Sequence, residues 1–359
     1  MRQRKKHETE HATGHATDGA TTHGATHGAV HGQGGAEVPG VRTGRRTLLT
    51  GLVAAAAGAP LLSALSAGTA RASSADELYT SNTELYRHFA ASADPADGEG
   101  KDFARRFKRH EVRDFDKAGQ SAYALTTVLA IHGGGIEVGT SELCLGIAGY
   151  DPEPYPEPER AGAVYPGLAE GEPLYDFWMF EGMRSGTAKD ADGNLLTNKQ
   201  LHVTAVHCDD HVAVSMTAGS LNTLSVHGLR WEQAHPRYKD HPEQLPDKKG
   251  VVVGGLDDVF RAILTKHLRN AGFQIFPGSG AVNGDEERNI CNRTMTGKGA
   301  QLELTRELRD SFFSATADSP GERGKSCKSN AQYRKFVQAC RAAIVEREAP
   351  QRAQAGLGG

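Results

Sequence analysis

The sequence predicts an α/β fold, a single domain with a mixed, largely parallel sheet flanked by helices. Three observations carry that expectation. Short apolar runs rich in β-branched residues alternate along the chain with longer amphipathic segments, as strands and helices do. His132, His207 and His227 all sit where such runs stop, and open α/β sheets gather their sites at the carboxyl ends of strands. The size and balance also fit: 359 residues, 38% hydrophobic and 24% charged with net charge −3, suit one large domain once the N-terminus is set aside. That near-neutral balance gives no reason to expect nucleic acid or an anionic membrane as partner. A mean hydropathy of −0.49 argues against a membrane-spanning core.

The N-terminal part divides in two. Residues 1–40 are a His, Gly, Ala and Thr tract with His7, His11, His15, His23, His27 and His31, too poor in large apolar residues to order itself. Residues 41–72 carry Arg45-Arg46, a modest Ala-rich apolar segment and then Ala70-Arg71-Ala72. This is the pattern of a signal peptide with a small-residue cleavage site near Ala72, and the arginine pair points to the twin-arginine route. The expectation is a secreted protein with no stable membrane anchor, whose partner during export is the twin-arginine translocase. The main domain is then 73–349, with a flexible tail over 350–359. Five cysteines, Cys144, Cys208, Cys291, Cys327 and Cys340, form no C-x-x-C, and the odd count leaves at least one unpaired. Cys327 and Cys340 are near enough in sequence to be a disulfide candidate in an oxidising compartment.

Within the main domain, 102–109 places Phe103 and Phe107 four apart among Arg105, Arg106, Lys108 and Arg109, which reads as a surface helix with an apolar stripe. The 125–131 run reads as a buried strand, ending in His132, Gly133, Gly134, Gly135 and Glu137 before a helix start at 139–142. The glycines permit positive φ, so His132 and Glu137 can turn toward one point. A helix continues to 148, a Pro-, Glu- and Gly-rich loop covers 150–173, a strand covers 175–180, and 185–199 is turn-like. The 201–206 run reads as a strand leading into His207-Cys208-Asp209-Asp210-His211, followed by a helix over 212–219. A strand over 221–226 ends in His227, a further strand covers 251–253, and 257–271 is an amphipathic helix stopped by Gly272. A last short strand over 301–304 carries Glu303, and helices are expected over 305–313 and 333–347.

Two imidazoles and a carboxylate, from His132, His227 and Glu137, are the donor set of a catalytic zinc, which takes about three protein ligands and leaves one position for water. A nearby carboxylate then acts as base, and Glu303 at its strand end is the candidate, the alternative being a solvent-facing Glu on an edge strand. The run from Arg288 through Asn292 to Arg293 offers a planar fork and amides suited to a substrate carboxylate, or else is an ordinary surface turn. His207, Asp209 and Asp210 resemble the His-x-Asp-Asp metal cluster of zinc-dependent N-deacetylases, or support the ligand histidines from behind.

The runs I-H-G-G-G-I-E-V-G-T-S-E, L-H-V-T-A-V-H-C-D-D, L-S-V-H-G, N-I-C-N-R and Q-L-E-L-T, in that order, resemble the poly-γ-glutamate hydrolase family. These are phage and bacterial zinc enzymes of carboxypeptidase-like α/β fold, and the likeness covers the chain from about residue 123 to the helix after Glu303. The resemblance implies one zinc held by His132, Glu137 and His227, with Glu303 as general base. It also implies that Asn292 and Arg293 hold a substrate carboxylate; Arg288, by its own chemistry, is a further candidate to bind one. The function implied is hydrolysis of γ-glutamyl amides in poly-γ-glutamate or a related polymer. A zinc-dependent N-deacetylase-like enzyme and a non-catalytic binder of an anionic polymer are the alternatives.

Overall fold

The structure, a computed structural model, describes residues 77–94, 97–109, 125–153, 172–190, 192–234, 247–278 and 280–356. The expectations for 1–72, for 154–171 and for 357–359 lie outside the described residues. Seven strands form one mixed sheet: β1 (Phe103–Lys108), β2 (Thr126–Gly134), β3 (Asp176–Gly182), β4 (Asn222–Leu229), β5 (Val251–Gly254), β6 (Ile275–Phe276) and β7 (Ala300–Thr305). Their order in space is β1-β3-β2-β4-β7-β5-β6. β3, β2, β4 and β7 run parallel, while β1 is antiparallel to β3 and β5 antiparallel to β7. The helices are α1 (Asn82–Ala90), α2 (Thr140–Ala148), α3 (His211–Ala218), α4 (Trp231–Ala234), α5 (Asp258–Asn270), α6 (Arg306–Asp310), α7 (Pro320–Ser329) and α8 (Ala331–Gln354). None among the described residues is long and apolar enough to cross a membrane.

β2 is buried at all nine of its residues, as a parallel strand covered on both faces must be. Val128, Ala130, Leu224, Val226, Leu302 and Leu304 pack with α2, α5 and α8. Leu129, Ile131, Trp178 and Phe180 pack instead with α3 and with Leu201 and Val203. Side chains alternate along a strand, so Glu303, between Leu302 and Leu304, faces the second layer, and the β4–β7 register sets it opposite His227.

Several expectations are corrected. Residues 103–108 form edge strand β1 rather than a surface helix, with Phe103 buried and Phe107 exposed. A spacing of four satisfies a helical turn and a strand face alike, so these two phenylalanines could not tell them apart. Its arginines are already paired, Arg105 with Glu99 and Asp210 and Arg106 with Glu181, and offer no free basic face. The 201–206 run is not a strand. After a 3₁₀ turn at Asn198–Leu201 its carbonyls serve distant partners: His132 Nε2 at Val203, the Ile290 N–H at Ala205 and, just beyond, Arg293 Nη1 at Cys208. Helix α8 continues through Pro350 to Gln354, where the Gln351 and Asn222 amides exchange hydrogen bonds of 2.7 and 2.9 Å. The flexible tail expected from 350 is therefore helical to Gln354. All five cysteines are free and buried, and Cys327 Sγ faces the Gly324 carbonyl at 3.4 Å rather than Cys340.

Candidate metal centre

The strand–glycine–helix stretch from β2 into α2 folds as one unit. Gly134 takes φ +62, and a Cβ at Gly133 would lie 2.4 Å from Ser141 Oγ, so the loop needs both a left-handed residue and a close approach. Ser141 Oγ accepts from the Gly134 N–H at 2.9 Å. Thr140 Oγ1 donates toward the carbonyls of Glu137 (2.9 Å) and His132 (3.2 Å), fastening the backbone of both residues to the first turn of α2. Behind them Glu142 pairs with Arg323 at 2.9 Å, both buried.

His132, Glu137 and His227 converge, with one donor atom from each lying within 4.8 Å of the others. His132 Nε2 donates to the Val203 carbonyl at 2.8 Å. A carbonyl only accepts, so the neutral ring presents its Nδ1 lone pair inward, 3.0 Å from Glu137 Oε1 and 3.2 Å from His227 Nδ1. His227 Nε2 lies 2.9 Å from Ser225 Oγ, which turns its own Nδ1 the same way. The Gly228 N–H donates to Glu137 Oε2 at 2.7 Å. With both rings neutral and Ser225 Oγ accepting from His227 Nε2, three acceptors face one point, an arrangement that a cation resolves. With metal–donor bonds of about 2.0–2.1 Å, a tetrahedral site has edges of about 3.3 Å, close to what is seen. Ring nitrogens hydrogen-bonded outward to a carbonyl and a hydroxyl are also how ligand histidines are oriented. The residues fit a zinc ion.

The electrostatics agree. Burial opposes the Glu137 carboxylate, but His132, then His227 and His202, hold it down at about 2. Burial lowers His227 to about 4, keeping the ring neutral. At His132 burial works the same way but is outweighed by Glu137, so this ring lies above its usual value and competes for a proton where the metal would sit. Glu303 is 8% exposed and accepts from Gln301 Nε2 at 2.8 Å. Burial and the Glu137 charge raise it well above the usual range, against the pull of Arg309 and Gln301. The sheet order makes β7 an interior strand, so the edge-strand reading of Glu303 does not hold.

Other expected site residues part company. Asn292 is buried and fully occupied: its Oδ1 accepts from the Leu256 and Gly299 N–H groups, and its Nδ2 donates to the Gly284 and Glu286 carbonyls. An amide has no further capacity, so Asn292 is not available to a substrate carboxylate. Asn292→Ala is expected to cost about 3 kcal/mol or more by orphaning buried backbone groups, read in a urea titration, with KM unchanged. Arg293 is half-buried and gives one bond to the Cys208 carbonyl (2.8 Å), whereas Arg288 is exposed. His207, Asp209 and Asp210 assemble no cluster: His207 faces Glu77, Asp209 accepts from the Thr83 N–H, and Asp210 caps α3.

His202 escaped the sequence reading, although it lies in one of the quoted runs. Its ring stacks on His132 at 3.9 Å, and burial and His132 lower it to about 3. Ser225, Thr140 and Val203 were missed as well. Only Ser225 carried a signal, two residues before His227 on the same strand face.

Fold and cluster place the chain among α/β proteins with a candidate metal centre at the carboxyl edge of the sheet. Comparison with known families narrows that class. Residues 104–156 and 169–339 match the model described as Poly-gamma-glutamate hydrolase, and the chain belongs to that hydrolase family. It is 30% identical over 188 residues to UPF0714 protein YndL of Bacillus subtilis (strain 168), covering 52% of this chain and 55% of YndL. The chain thus spans about half the length of this curated relative. Among solved structures, a bacteriophage poly-gamma-glutamate hydrolase superposes with TM-score 0.53 at 22% identity, over 76% of this chain and 99% of that one. A zinc-free apo form of YNDL superposes with TM-score 0.50 at 24% identity, over the same shares, 76% and 99%. Both share the fold.

Proposed function

We propose that the chain is a secreted, zinc-dependent hydrolase of γ-glutamyl amide bonds in poly-γ-glutamate or a related polymer. The observation that carries the reading is the inward-facing set of His132 Nδ1, His227 Nδ1 and Glu137 with buried Glu303 in register beside it. These three side chains would hold one zinc, which when bound supplies a Lewis acid for a carbonyl oxygen and acidifies water. Glu303 moves the proton. Gln301 occupies its Oε1, leaving Oε2 to take the proton of the attacking water and return it to the departing amine nitrogen. Arg293 supplies the fork for an α-carboxylate of the polymer, which repeats one on every unit.

The family membership and the zinc-free state named for YNDL support the metal and the substrate class. Zinc per chain and release of glutamyl oligomers from poly-γ-glutamate, with and without chelator, test the reading. About one zinc with chelator-sensitive cleavage supports it, and a chain that takes up no zinc refutes it. Arg293→Ala is expected to raise KM about tenfold or more with zinc content unchanged, in keeping with loss of a charge-assisted bond of about 1.5–3 kcal/mol. An unchanged KM removes Arg293 from the site. Export by the twin-arginine route is proposed on the sequence pattern alone.

A further inference from the structure

We infer that Arg309 is the positioning residue that fixes the metal-ligand segments and the Glu303 strand relative to one another, an inference resting on the metal centre proposed above. Its guanidinium touches three stretches of backbone, each one residue from a side chain of the site. Nη1 donates to the Val138 carbonyl at 2.5 Å, beside Glu137. Nε donates to the Leu304 carbonyl at 3.4 Å, beside Glu303. The third contact is Gly228, beside His227, where a Cβ would lie 2.4 Å from Cζ and 2.6 Å from both Nε and Nη2. Only a glycine lets the guanidinium pass so close to β4, which gives the His-Gly pair a physical reason.

The side chain is not where an ordinary surface arginine would be. Arg309 is 5% exposed and has no ion pair among the described residues, whereas Arg306 on the same helix pairs outward with Asp310 at 2.7 Å. Burying an unpaired cation costs free energy unless something nearby offsets it. Here the carboxylates of Glu137, Asp310 and Glu303 are the neighbouring charges that favour it, against burial and Arg306. The fork is what the geometry uses: a planar group with several donors can bind two carbonyls while lying against a third stretch of backbone, and a lysine ammonium cannot. A centre of three ligands and a proton carrier works only when placed to within about 0.5 Å, so a residue that fixes these spacings acts on the reaction without touching substrate.

The test uses the full chain with Arg309→Lys, Arg309→Ala and, as control, Arg306→Ala, each loaded with zinc or cobalt(II). In both Arg309 variants metal affinity and kcat are expected to fall about 10- to 100-fold, with KM for poly-γ-glutamate within about twofold. The visible absorption of the cobalt form should shift in both, because it reports ligand geometry. Added guanidinium should restore part of the kcat of Arg309→Ala, and Arg306→Ala should behave as the parent. Parental kcat and cobalt spectrum in Arg309→Lys overturn the inference. Loss of folded protein with a normal spectrum and kcat in the remainder does so too. Should the parent bind cobalt but cleave no γ-glutamyl polymer, the substrate reading fails while the affinity and spectral shifts still decide the role of Arg309. A parent without metal affinity overturns both.

Discussion

Replacing Glu303 by Gln is expected to lower kcat on poly-γ-glutamate by about 10³-fold while the chain still binds about one zinc. Gln has the shape of Glu and keeps an oxygen for the Gln301 donor, so the bond at 2.8 Å and the strand register survive. What disappears is the ability to accept a proton and give it back. Because Glu303 faces the same layer as His227 but is not among the clustered donors, its loss should leave metal content and Tm near the parental values. Metal analysis and oligomer release on the same preparations separate the outcomes. Full turnover in Glu303→Gln would show that another group carries the proton, and lost zinc would place Glu303 among the ligands.

Glu137→Ala is expected to abolish stoichiometric zinc, with affinity falling by more than the 10- to 100-fold that loss of an outer partner costs. Glu137 is the charged donor of the three, and its Oε2 also holds the Gly228 N–H, so truncation removes a ligand and loosens the segment bearing His227. The thermal signature should be clear. Zinc at about 1,000 times its Kd adds about 4 kcal/mol to the parent, raising Tm by roughly 10 °C for a domain of this size. Glu137→Ala should show almost none of that shift, although its metal-free Tm can be compared directly with the metal-free parent. A parental zinc response in this variant would mean that the cluster is not the binding site.

Legibility in the sequence followed how local each feature is. His132, Glu137 and the start of α2 lie within one strand–turn–helix, where the glycines and the helix start at 139–142 announce the geometry. His227 was readable as the polar end of an apolar run. Glu303 was readable as a residue on a strand, but whether that strand was edge or interior depends on β7 entering between β4 and β5, which no local pattern encodes. The 201–206 run failed for a related reason. Leu201 and Val203 are buried as a strand's residues would be, but the carbonyls of Val203 and Ala205 are held by His132 and Ile290, 71 and 85 positions away. The 288–293 run shows the limit of residue type as a guide: Asn292 has the chemistry of a substrate contact, and the fold uses every one of its bonds to hold its own loop.

The position of β7 also orders events during synthesis. The ligands are all encoded by residue 227, but the strand between β4 and β5 is among the last elements to emerge from the ribosome. Until then β4 has an open edge on that side, β5 has no partner there, and the chain possesses metal donors without Glu303 or Arg309 beside them. Under the function proposed above, the metal donors are therefore complete in the nascent chain before the residues that would place them and move the proton. An interrupted polypeptide would carry the donors without Glu303 or Arg309, and would expose an unpaired strand edge besides.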